Sequence, residues 1–293
     1  MKLQKLISKL EKHHKKKLDL SLGRTFNLLK KLGDPQDKLK NVITVVGTNA
    51  KASMCYSLKS ILNQGGYKTN LYTSPHLLSY TERYVFEDKE INEEDLIELL
   101  TDVEKTLGDD NATLFEILTC AFLKYAENFK DNINIIEAGL FHQFDSTNVF
   151  KENLMTLIGV IHNDHFQWLE NKSIEGVIYE KTAKLLNSNI FINKQVNNEI
   201  RDKIDKSLEK NTSNKYYFGK DFNIAKSENG FIQYQDGLGE LVLPEPSILG
   251  DHQLYNISTS IAASRKIFNI KDENIIDGIK NVSLKARLEE IKS

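Results

Sequence analysis

The feature that most constrains the fold is a buried-strand pattern that leads straight into a glycine loop and a helix. The run from Val42 to Val46 is apolar and β-branched, as in strands that are covered on both faces of a parallel sheet. Gly47 follows it directly, and apolar residues at helical spacing then predict a helix from about 53 to 64, ended by Gly65 and Gly66. A strand that turns into a helix in this way indicates an α/β fold.

The same alternation of strand and helix patterns continues along the chain. Further strands are predicted at 68–72, 133–137, 155–161 and 190–193, and further helices at 92–107, 113–129, 174–187, 196–210, 251–268 and 272–280. Strands separated by helices favour a doubly wound, mainly parallel sheet. N-terminal helices are predicted within residues 1–40, with a break around 17–21, and short strands with glycine turns at 215–243 predict a small antiparallel insertion. We expect residues 1–293 to form one domain.

Bulk composition limits the classes of partner. The formal net charge of −2 gives no overall attraction to nucleic acid. The lysine-rich start of the chain lacks the apolar stretch of a signal peptide, and no window approaches the ~20 apolar residues of a membrane span. Cys55 and Cys120 lie far apart in apolar helical stretches, as is typical of buried thiols in a reducing compartment. We therefore expect a cytoplasmic protein that binds neither nucleic acid nor membrane.

The loop between the first strand and its helix has the chemistry of a phosphate site. Backbone N–H groups at a helix N-terminus converge on one point, the helix dipole adds positive potential, and Lys51 supplies a full charge for the outer phosphates of a nucleotide. Ala50 and Ala52 stand where glycines are typical of such loops, and alanine fits there if φ stays negative. Taken alone, the segment is equally compatible with an ordinary strand-to-helix turn that carries an exposed lysine.

Several segments, in the same order along the chain, resemble those of one enzyme family. They are Gly47-Thr48-Asn49-Ala50-Lys51-Ala52-Ser53, Leu71-Tyr72-Thr73-Ser74-Pro75-His76-Leu77 with Glu82-Arg83, Thr113-Leu114-Phe115-Glu116, Glu137-Ala138-Gly139-Leu140 with Asp145-Ser146-Thr147-Asn148, Asp164-His165, Glu180-Lys181, His252-Gln253 with Asn256, and Arg287-Leu288-Glu289. Together they extend over about residues 18–291. In these segments the chain resembles the folylpolyglutamate and dihydrofolate synthases of the Mur ligase family.

This resemblance implies both a fold and an activity. The fold would be the P-loop-containing central domain of a Mur ligase, and residues 282–293 would begin the linker to a C-terminal glutamate-binding domain that is absent here. The chain would then be either a fragment or a short homologue. Enzymes of the family use ATP and Mg²⁺ to phosphorylate a carboxylate of dihydropteroate or a folate, and the amine of L-glutamate attacks the acyl phosphate to give an amide. The implied partners are thus small molecules, and we expect a monomer.

The resemblance also assigns residues to the nucleotide and to metal ions. The ATP-binding set is Asn49, Ala50, Lys51, Ala52, Asn256 for the adenine, and Arg287 from the linker. The metal set is Ser74 and Glu137 for one Mg²⁺, with His165 and a carbamylated Lys181 for a second metal. Lys51, His165 and Lys181 would act in catalysis.

Each of these residues also has a simpler interpretation. On its own, Asn256 is typical of a helix-surface amide, and Arg287 of a linker charge that pairs with a nearby glutamate. Lys181 is typical of a solvated helix lysine. A zinc site around 162–165 is disfavoured, because no cysteine or third ligand clusters with its two histidines.

For the pteridine substrate, the matching positions lie in two short segments. They hold Thr113, Leu114, Phe115, Glu116, Phe144, Asp145 and Ser146. Next to them, Phe141-His142-Gln143 stands where the family has Gly-Gly-Arg. Gln143 replaces an always-charged guanidinium by a neutral amide. Because Phe141 and His142 are bulkier than glycine, we expect the loop after Glu137 to take a different path.

Two other functions stay open at the level of the sequence. A Mur-type ligase of peptidoglycan synthesis would share the ATP machinery, and binding of a UDP-sugar without binding of pterin would identify it. A degenerate homologue that binds nucleotide or a protein partner without catalysis would account for Ala50, Ala52 and Gln143, together with the absent C-terminal domain.

Overall fold

The computed structural model describes residues 2–14, 21–164, 166–169, 171–227, 229–248 and 250–284. The helices are α1 (Lys2–Leu10), α2 (Gly23–Lys31), α3 (Lys51–Gln64), α4 (Glu93–Leu107), α5 (Leu114–Ala126), α6 (Ile174–Thr182), α7 (Asn198–Ser207), α8 (Asp251–Ile267) and α9 (Asp272–Lys280). The strands are β1 (Val42–Val46), β2 (Thr69–Tyr72), β3 (Tyr84–Phe86), β4 (Lys89–Glu90), β5 (Ile133–Glu137), β6 (Met155–Ile158), β7 (Asn189–Ile192), β8 (Asn214–Tyr217), β9 (Phe222–Lys226), β10 (Ile232–Asp236) and β11 (Gly239–Leu243).

An eight-stranded sheet organises these elements in the order β4-β3-β2-β5-β1-β6-β7-β8. The strands from β2 to β8 in this order run parallel, whereas β3 and β4 pair antiparallel at one edge. All five residues of β1 are buried, and β1 lies between β5 and β6. The loop that follows β1 therefore lies beside the carboxyl ends of two neighbouring strands, which is where open α/β sheets bind ligands. The predicted fold class is confirmed.

Helices cover both faces of the sheet, because each β-branched strand buries apolar side chains on both sides. One buried cluster joins β1, β5 and β6 to α3, α8 and α9. A second joins β2 and β3 to α1, α2, α4 and α5, and a third joins β6 and β7 to α6 and α7. The α3–α9 contact is close enough that a Cβ on Gly278 would lie 2.6 Å from the Cα of Ile61.

Residues 215–243 differ from the predicted antiparallel insertion. The segment at Asn214–Tyr217 is instead β8, a parallel edge strand of the main sheet, and only β9, β10 and β11 form the three-stranded antiparallel sheet. Alternation of polar and apolar residues predicts that a segment is a strand, but the direction of its neighbour is set by the crossover that precedes it. Here helix α7 supplies a parallel crossover from β7 to β8.

Several predicted boundaries were also too long, and two strands were missed. The helix predicted at 174–187 ends at Thr182, and the strand predicted at 155–161 ends at Ile158. The two-residue strand β4 and three-residue strand β3 escaped prediction, because such short segments carry too little periodicity to register. The break in the N-terminal helices was predicted around 17–21, and most of it lies outside the described residues.

Among the described residues, no helix is both long and apolar enough to cross a membrane.

Candidate functional site

The loop after β1 rests on the backbone of the segment that follows β6. The N–H groups of Thr48 and Asn49 both donate to the carbonyl of Val160, over 2.9 and 3.1 Å. The two backbones pack so closely that a Cβ on Gly159 would lie 2.4 Å from the carbonyl oxygen of Asn49. Gly47 has φ 147°, a conformation that side-chain-bearing residues rarely adopt. The position of the loop is thus fixed by its underlying segment.

Ala50 does not keep the negative φ that alanine was expected to need in this loop. Its φ is 75° and its ψ is −15°, and it stands as the left-handed residue before the first turn of α3. The condition under which alanine fits this loop without strain is therefore not met at position 50. Ala52 lies within α3 and has ordinary helical geometry. The two alanines therefore differ in their cost, and only Ala50 occupies a glycine-type conformation.

The N-terminus of α3 faces a cavity of about 690 Å³. The first N–H groups of a helix have no partner within it, so those of Lys51, Ala52 and Ser53 are directed out of the helix end. The ammonium of Lys51 donates to the carbonyls of Gly47 and Thr48, over 3.1 and 3.3 Å. Positive charge and free N–H donors together make this end of the cavity suitable for an anion.

The predicted metal residues Ser74 and Glu137 contact each other and line the same cavity. The N–H of Ser74 donates to Oε2 of Glu137 over 2.9 Å, because β2 and β5 are adjacent parallel strands that end side by side. The carboxylate of Glu137 is buried. A carboxylate and a hydroxyl at a cavity wall are hard oxygen donors of the kind that Mg²⁺ prefers, and the remaining ligands are ordinarily water and phosphate. These two residues fit one divalent cation.

Among the described residues, no three His, Cys, Asp or Glu side chains form a metal-binding group.

Two further residues of this cavity, Tyr56 and Thr73, were not assigned a role from the sequence. The hydroxyl of Tyr56 hydrogen-bonds to the side chain of Thr73, and both line the cavity between the loop and Ser74. Burial raises the pKa of Tyr56 to about 12, so the phenol stays protonated at neutral pH. Tyr56 lies on the helix face that an apolar-periodicity argument assigns to packing, which is why the sequence favoured a structural role.

Lys181 lies directly behind the phosphate loop. Its side chain is only 2% exposed, and its ammonium donates to the carbonyls of Gly47 and Leu140 over 3.0 and 2.7 Å. It also lies 5.5 Å from the centre of the Phe141 ring. Burial, and then the nearby charge of Lys51, lower the pKa of Lys181 to about 7. The interpretation of Lys181 as a solvated helix lysine is therefore wrong.

The loop that departs from the family pattern is tied to α6. The N–H groups of His142 and Gln143 both donate to the carbonyl of Glu180, over 3.0 and 2.9 Å. His142 is buried, and its pKa is lowered to about 4 by burial and by the charge of Lys181. Nδ1 of His142 and Oε1 of Gln143 find no hydrogen-bond partner within the described part of the chain. His142 is accordingly neutral at pH 7.

The predicted substrate residues of α5 form a buried, charge-paired helix start. Thr113 caps α5 and accepts from the N–H of Glu116, while the N–H of Thr113 donates to Oε2 of Glu116 over 2.6 Å. Arg24 of α2 makes a two-point contact with the same carboxylate, at 3.0 and 3.2 Å. Glu116 is therefore held by its helix cap and by one cation. Arg24 was missed by the sequence analysis because it lies 92 residues away in the chain.

Asp145 and Ser146 lie against the same helix. Oδ1 of Asp145 accepts from the N–H and hydroxyl of Thr147, and burial raises the pKa of Asp145. The hydroxyl of Ser146 lies 2.9 Å from that of Thr119 on α5. A Cβ on Gly139 would lie 2.7 Å from both Asp145 and the Phe115 ring, so glycine is required between them.

Leu114 and Phe144, two of the predicted substrate residues, lie apart from the group that the other predicted substrate residues form. Leu114 packs at the edge of the cluster beneath α5. Phe144 is 39% exposed and lines a second cavity of about 950 Å³, together with Trp168 and Tyr179. The structure thus brings Thr113, Phe115, Glu116, Asp145 and Ser146 together but separates Phe144 from them.

Asn256 is buried and not on the helix surface, so that simpler interpretation is wrong. Its Oδ1 accepts from Nδ2 of Asn193 over 2.8 Å, and its Nδ2 donates to Oε1 of Gln253 over 2.9 Å. Asn256 does not line the phosphate cavity. His165 and Arg287 lie outside the described residues.

Comparison with curated proteins identifies relatives of this chain. No protein-family model matches it. It is 28% identical over 289 residues to the dihydrofolate synthase/folylpolyglutamate synthase of Bacillus subtilis, covering 92% of this chain and 66% of that protein. It is likewise 28% identical over 280 residues to a probable dihydrofolate synthetase of Schizosaccharomyces pombe, covering 93% and 66%. The chain thus spans somewhat less than two thirds of the length of these relatives.

Solved structures agree in fold over nearly the whole chain. Escherichia coli FolC in complex with DHPP and ADP matches with a TM-score of 0.88 and 27% identity, covering 99% of this chain and 68% of that one. The bifunctional folylpolyglutamate synthase/dihydrofolate synthase of Yersinia pestis, complexed with AMPPNP and a Mn ion, matches with a TM-score of 0.87 and 26% identity, covering 99% and 69%.

Proposed function

Because this chain belongs to the family of dihydrofolate synthases and folylpolyglutamate synthases, we propose that it carries the ATP- and Mg²⁺-binding part of a ligase. That ligase joins L-glutamate to dihydropteroate or to a folate through an amide bond. The observation that supports the proposal most strongly is that Lys51, Ser74 and Glu137 line one cavity at the carboxyl ends of parallel strands. No nucleophilic side chain is needed for such a reaction, which depends on placing two substrates and neutralising phosphate charge.

In this proposal the N-terminus of α3 binds the nucleotide phosphates. Lys51 would exchange its contacts with the carbonyls of Gly47 and Thr48 for contacts with phosphate oxygens. The free N–H groups of Lys51 and Ala52 would donate to the same phosphates. Asn49 and Ala50 line the cavity beside these groups and would contact the phosphates as well. Asn256 would contact the adenine, with its side-chain amide held in place by Asn193 and Gln253.

Ser74 and Glu137 would hold Mg²⁺, which supplies charge neutralisation to the phosphates when it is bound. Lys181 and His165 would hold a second ion if Lys181 is carbamylated. Only an unprotonated amine reacts with carbon dioxide, and a pKa of about 7 leaves a substantial fraction of Lys181 unprotonated at neutral pH. The burial of Lys181 beside Gly47 supports a role for it at the phosphate loop.

The pterin-bearing substrate would lie against Thr113, Phe115 and Asp145. The E. coli relative has been seen with DHPP and ADP together. Buried Asp145 and the Arg24–Glu116 pair offer polar partners beside an aromatic ring, which suits a flat heterocycle with N–H groups. Gln143 would not supply the positive charge that an arginine gives at this position.

The experiment that tests nucleotide binding is calorimetric titration of the chain with AMPPNP and Mg²⁺. We expect binding by the wild type and its loss in Lys51→Ala. Lys59→Ala is the matched control, because Lys59 lines the same cavity two turns along α3 but is paired with Asp88. It should leave the affinity within about threefold of wild type, a change of under 1 kcal/mol.

Absence of binding by the wild type would overturn the nucleotide proposal for this chain. Equal weakening by Lys51→Ala and Lys59→Ala would show that only the general charge of the cavity matters. Titration with dihydropteroate and with a UDP-sugar separates the folate ligase from the peptidoglycan ligase. Nucleotide binding without any binding of dihydropteroate or of a UDP-sugar would favour the non-catalytic homologue.

Two observations favour that non-catalytic alternative. Ala50 occupies a left-handed conformation that costs an alanine free energy, and Gln143 carries a buried oxygen without a partner among the described residues. Each of these features costs folding free energy at a position where the family pattern has a different residue, glycine at position 50 and arginine at position 143.

We further propose that the protein acts in the cytoplasm as a monomer. Cys55 and Cys120 are buried free thiols, as is typical of a reducing compartment. Light scattering after size exclusion measures the oligomeric state directly.

A further inference from the structure

The segment after β6 acts as a platform under the phosphate loop. The N–H of Gly159 donates to the carbonyl of Val46 over 2.7 Å, and the carbonyl of Val160 accepts from Thr48 and Asn49. The N–H of His162 donates to the hydroxyl of Thr48 over 3.2 Å. These four hydrogen bonds join the platform, residues 159–162, to the end of β1 and to the phosphate loop. Any change in the position of the platform must move the loop with it.

A single side chain from the next strand connection holds this platform. Gln195 follows β7 and is buried. Its Oε1 accepts from the N–H of Ile161 over 3.0 Å, and its Nε2 donates to the carbonyls of Gly159 and Asn193 over 3.1 and 2.9 Å. The side-chain amide therefore hydrogen-bonds to Gly159 and Ile161, the two residues that flank Val160. Both of its polar atoms are satisfied by backbone groups alone.

The hydrogen bonds of Gln195 continue, through Asn193, to helix α8. Asn193, whose carbonyl accepts from Gln195, donates through its own amide to Asn256 of α8, which in turn donates to Gln253. A series of buried amides therefore joins α8 to the platform. In a closely packed interior, such a series fixes distances between its ends, because no member moves without breaking a hydrogen bond.

We infer that Gln195 is a positioning residue for the phosphate loop, which it sets through the platform at 159–162. This inference rests on the proposed nucleotide-binding function of that loop. The side chain touches neither the cavity nor its phosphate end, so its effect is carried by backbone hydrogen bonds. Without Gln195, the Gly159 carbonyl and the Ile161 N–H lose a buried partner, and the platform must move to find others.

The test compares Gln195→Met with wild type. Methionine has a similar length and no hydrogen-bonding amide, so it removes all three contacts while filling the space. Two quantities are measured: the affinity for AMPPNP with Mg²⁺, and the hydrogen-exchange rates of the Thr48 and Asn49 amides without nucleotide. We expect the affinity to fall about tenfold and exchange at both amides to accelerate about tenfold, the change that loss of one buried hydrogen-bond partner produces.

Gln36→Met is the matched control for a purely structural effect. Gln36 is also a buried glutamine, and its amide donates to Asp34, far from the loop. Its replacement should change neither measured quantity, because its one side-chain hydrogen bond, to Asp34, has no connection to the phosphate loop. Gln195→Glu is the second variant, and it keeps an acceptor for Ile161 but has no donor for the Gly159 carbonyl. If the methionine variant does not fold, the glutamate variant carries the test with the same expectations.

Unchanged amide exchange at Thr48 and Asn49 in the Gln195 variants overturns the inference. Equal acceleration in Gln36→Met at a matched loss of stability also overturns it. The exchange measurement needs no nucleotide. If the wild type binds no AMPPNP, the proposed function fails, while exchange still decides the role of Gln195.

Discussion

Replacing Ala50 and Ala52 singly by glycine should change stability in opposite directions. Ala50 has φ 75°, and a left-handed conformation costs an L-residue about 1–2 kcal/mol. Glycine removes that cost but adds about 0.4–1 kcal/mol through the greater freedom of the unfolded chain. The net stabilisation expected for Ala50→Gly is therefore between about 0 and 1.6 kcal/mol, with a midpoint of about 0.8 kcal/mol.

Ala52 provides the internal comparison. It lies in the first turn of α3 with helical geometry, so glycine there brings only its entropic cost of about 0.5–1 kcal/mol. Each variant removes one methyl group, at positions only two residues apart in the chain. A difference in sign between them thus reports backbone conformation and not lost packing.

Thermal and urea unfolding of both variants measure the effect. For a chain of this size, a change of this magnitude corresponds to about 2 °C in the midpoint, upward for Ala50→Gly and downward for Ala52→Gly. Because the loop already has its left-handed turn, Ala50→Gly should bind AMPPNP within about threefold of wild type. Destabilisation of both variants by similar amounts would refute the argument, since it would mean that Ala50 carries no conformational cost.

Three further predictions concern other parts of the fold. Arg24→Leu should lower the free energy of unfolding, measured by urea titration, by about 3 kcal/mol. The substitution leaves the buried carboxylate of Glu116 without the guanidinium that pairs with it. A loss below about 1 kcal/mol would contradict the pairing. Relative to Lys181→Met, the free energy of unfolding of the wild type should rise between pH 7 and pH 10 by up to about 1.4 kcal/mol per pH unit. The reason is that in this range the unfolded chain keeps a proton on Lys181 that the buried amine of the folded chain has released. A difference between the two proteins that does not change with pH would exclude the lowered pKa. Gly278→Ala should lower the free energy of unfolding by about 1–3 kcal/mol, because the added Cβ would overlap with α3. The control Gly237→Ala has open space at its Cβ and should stay within about 0.5 kcal/mol of wild type. Equal unfolding midpoints for the two variants would disprove the close contact between the helices.

Elements with strong periodicity were predicted well. β1 and α4 lie within a residue or two of their predicted bounds, because a β-branched run and a heptad-like pattern are both local signals. β8 was assigned to the wrong sheet, since the order and direction of strands depend on crossovers and not on the strand's own residues. Very short strands such as β3 carried no signal at all.

The candidate site was predictable where its residues lie in motifs. Lys51, Ser74 and Glu137 were found because each stands in a recognisable segment, and the structure brings all three to one cavity. Their roles in binding ATP and Mg²⁺ remain predictions. Arg24 and Gln195 could not be found in the same way, because their partners lie in distant segments.

The sequence alone determined the alternation of strands and helices, the phosphate-type loop after β1 and the family resemblance, since each is encoded in the order of neighbouring residues. Only the tertiary structure decided that Lys181 is buried with a lowered pKa and that Ala50 must adopt a left-handed turn. It also decided that Asn256 lies inside a chain of amides. Burial, charge proximity and backbone strain depend on which distant segments pack together, and local patterns carry no record of that packing.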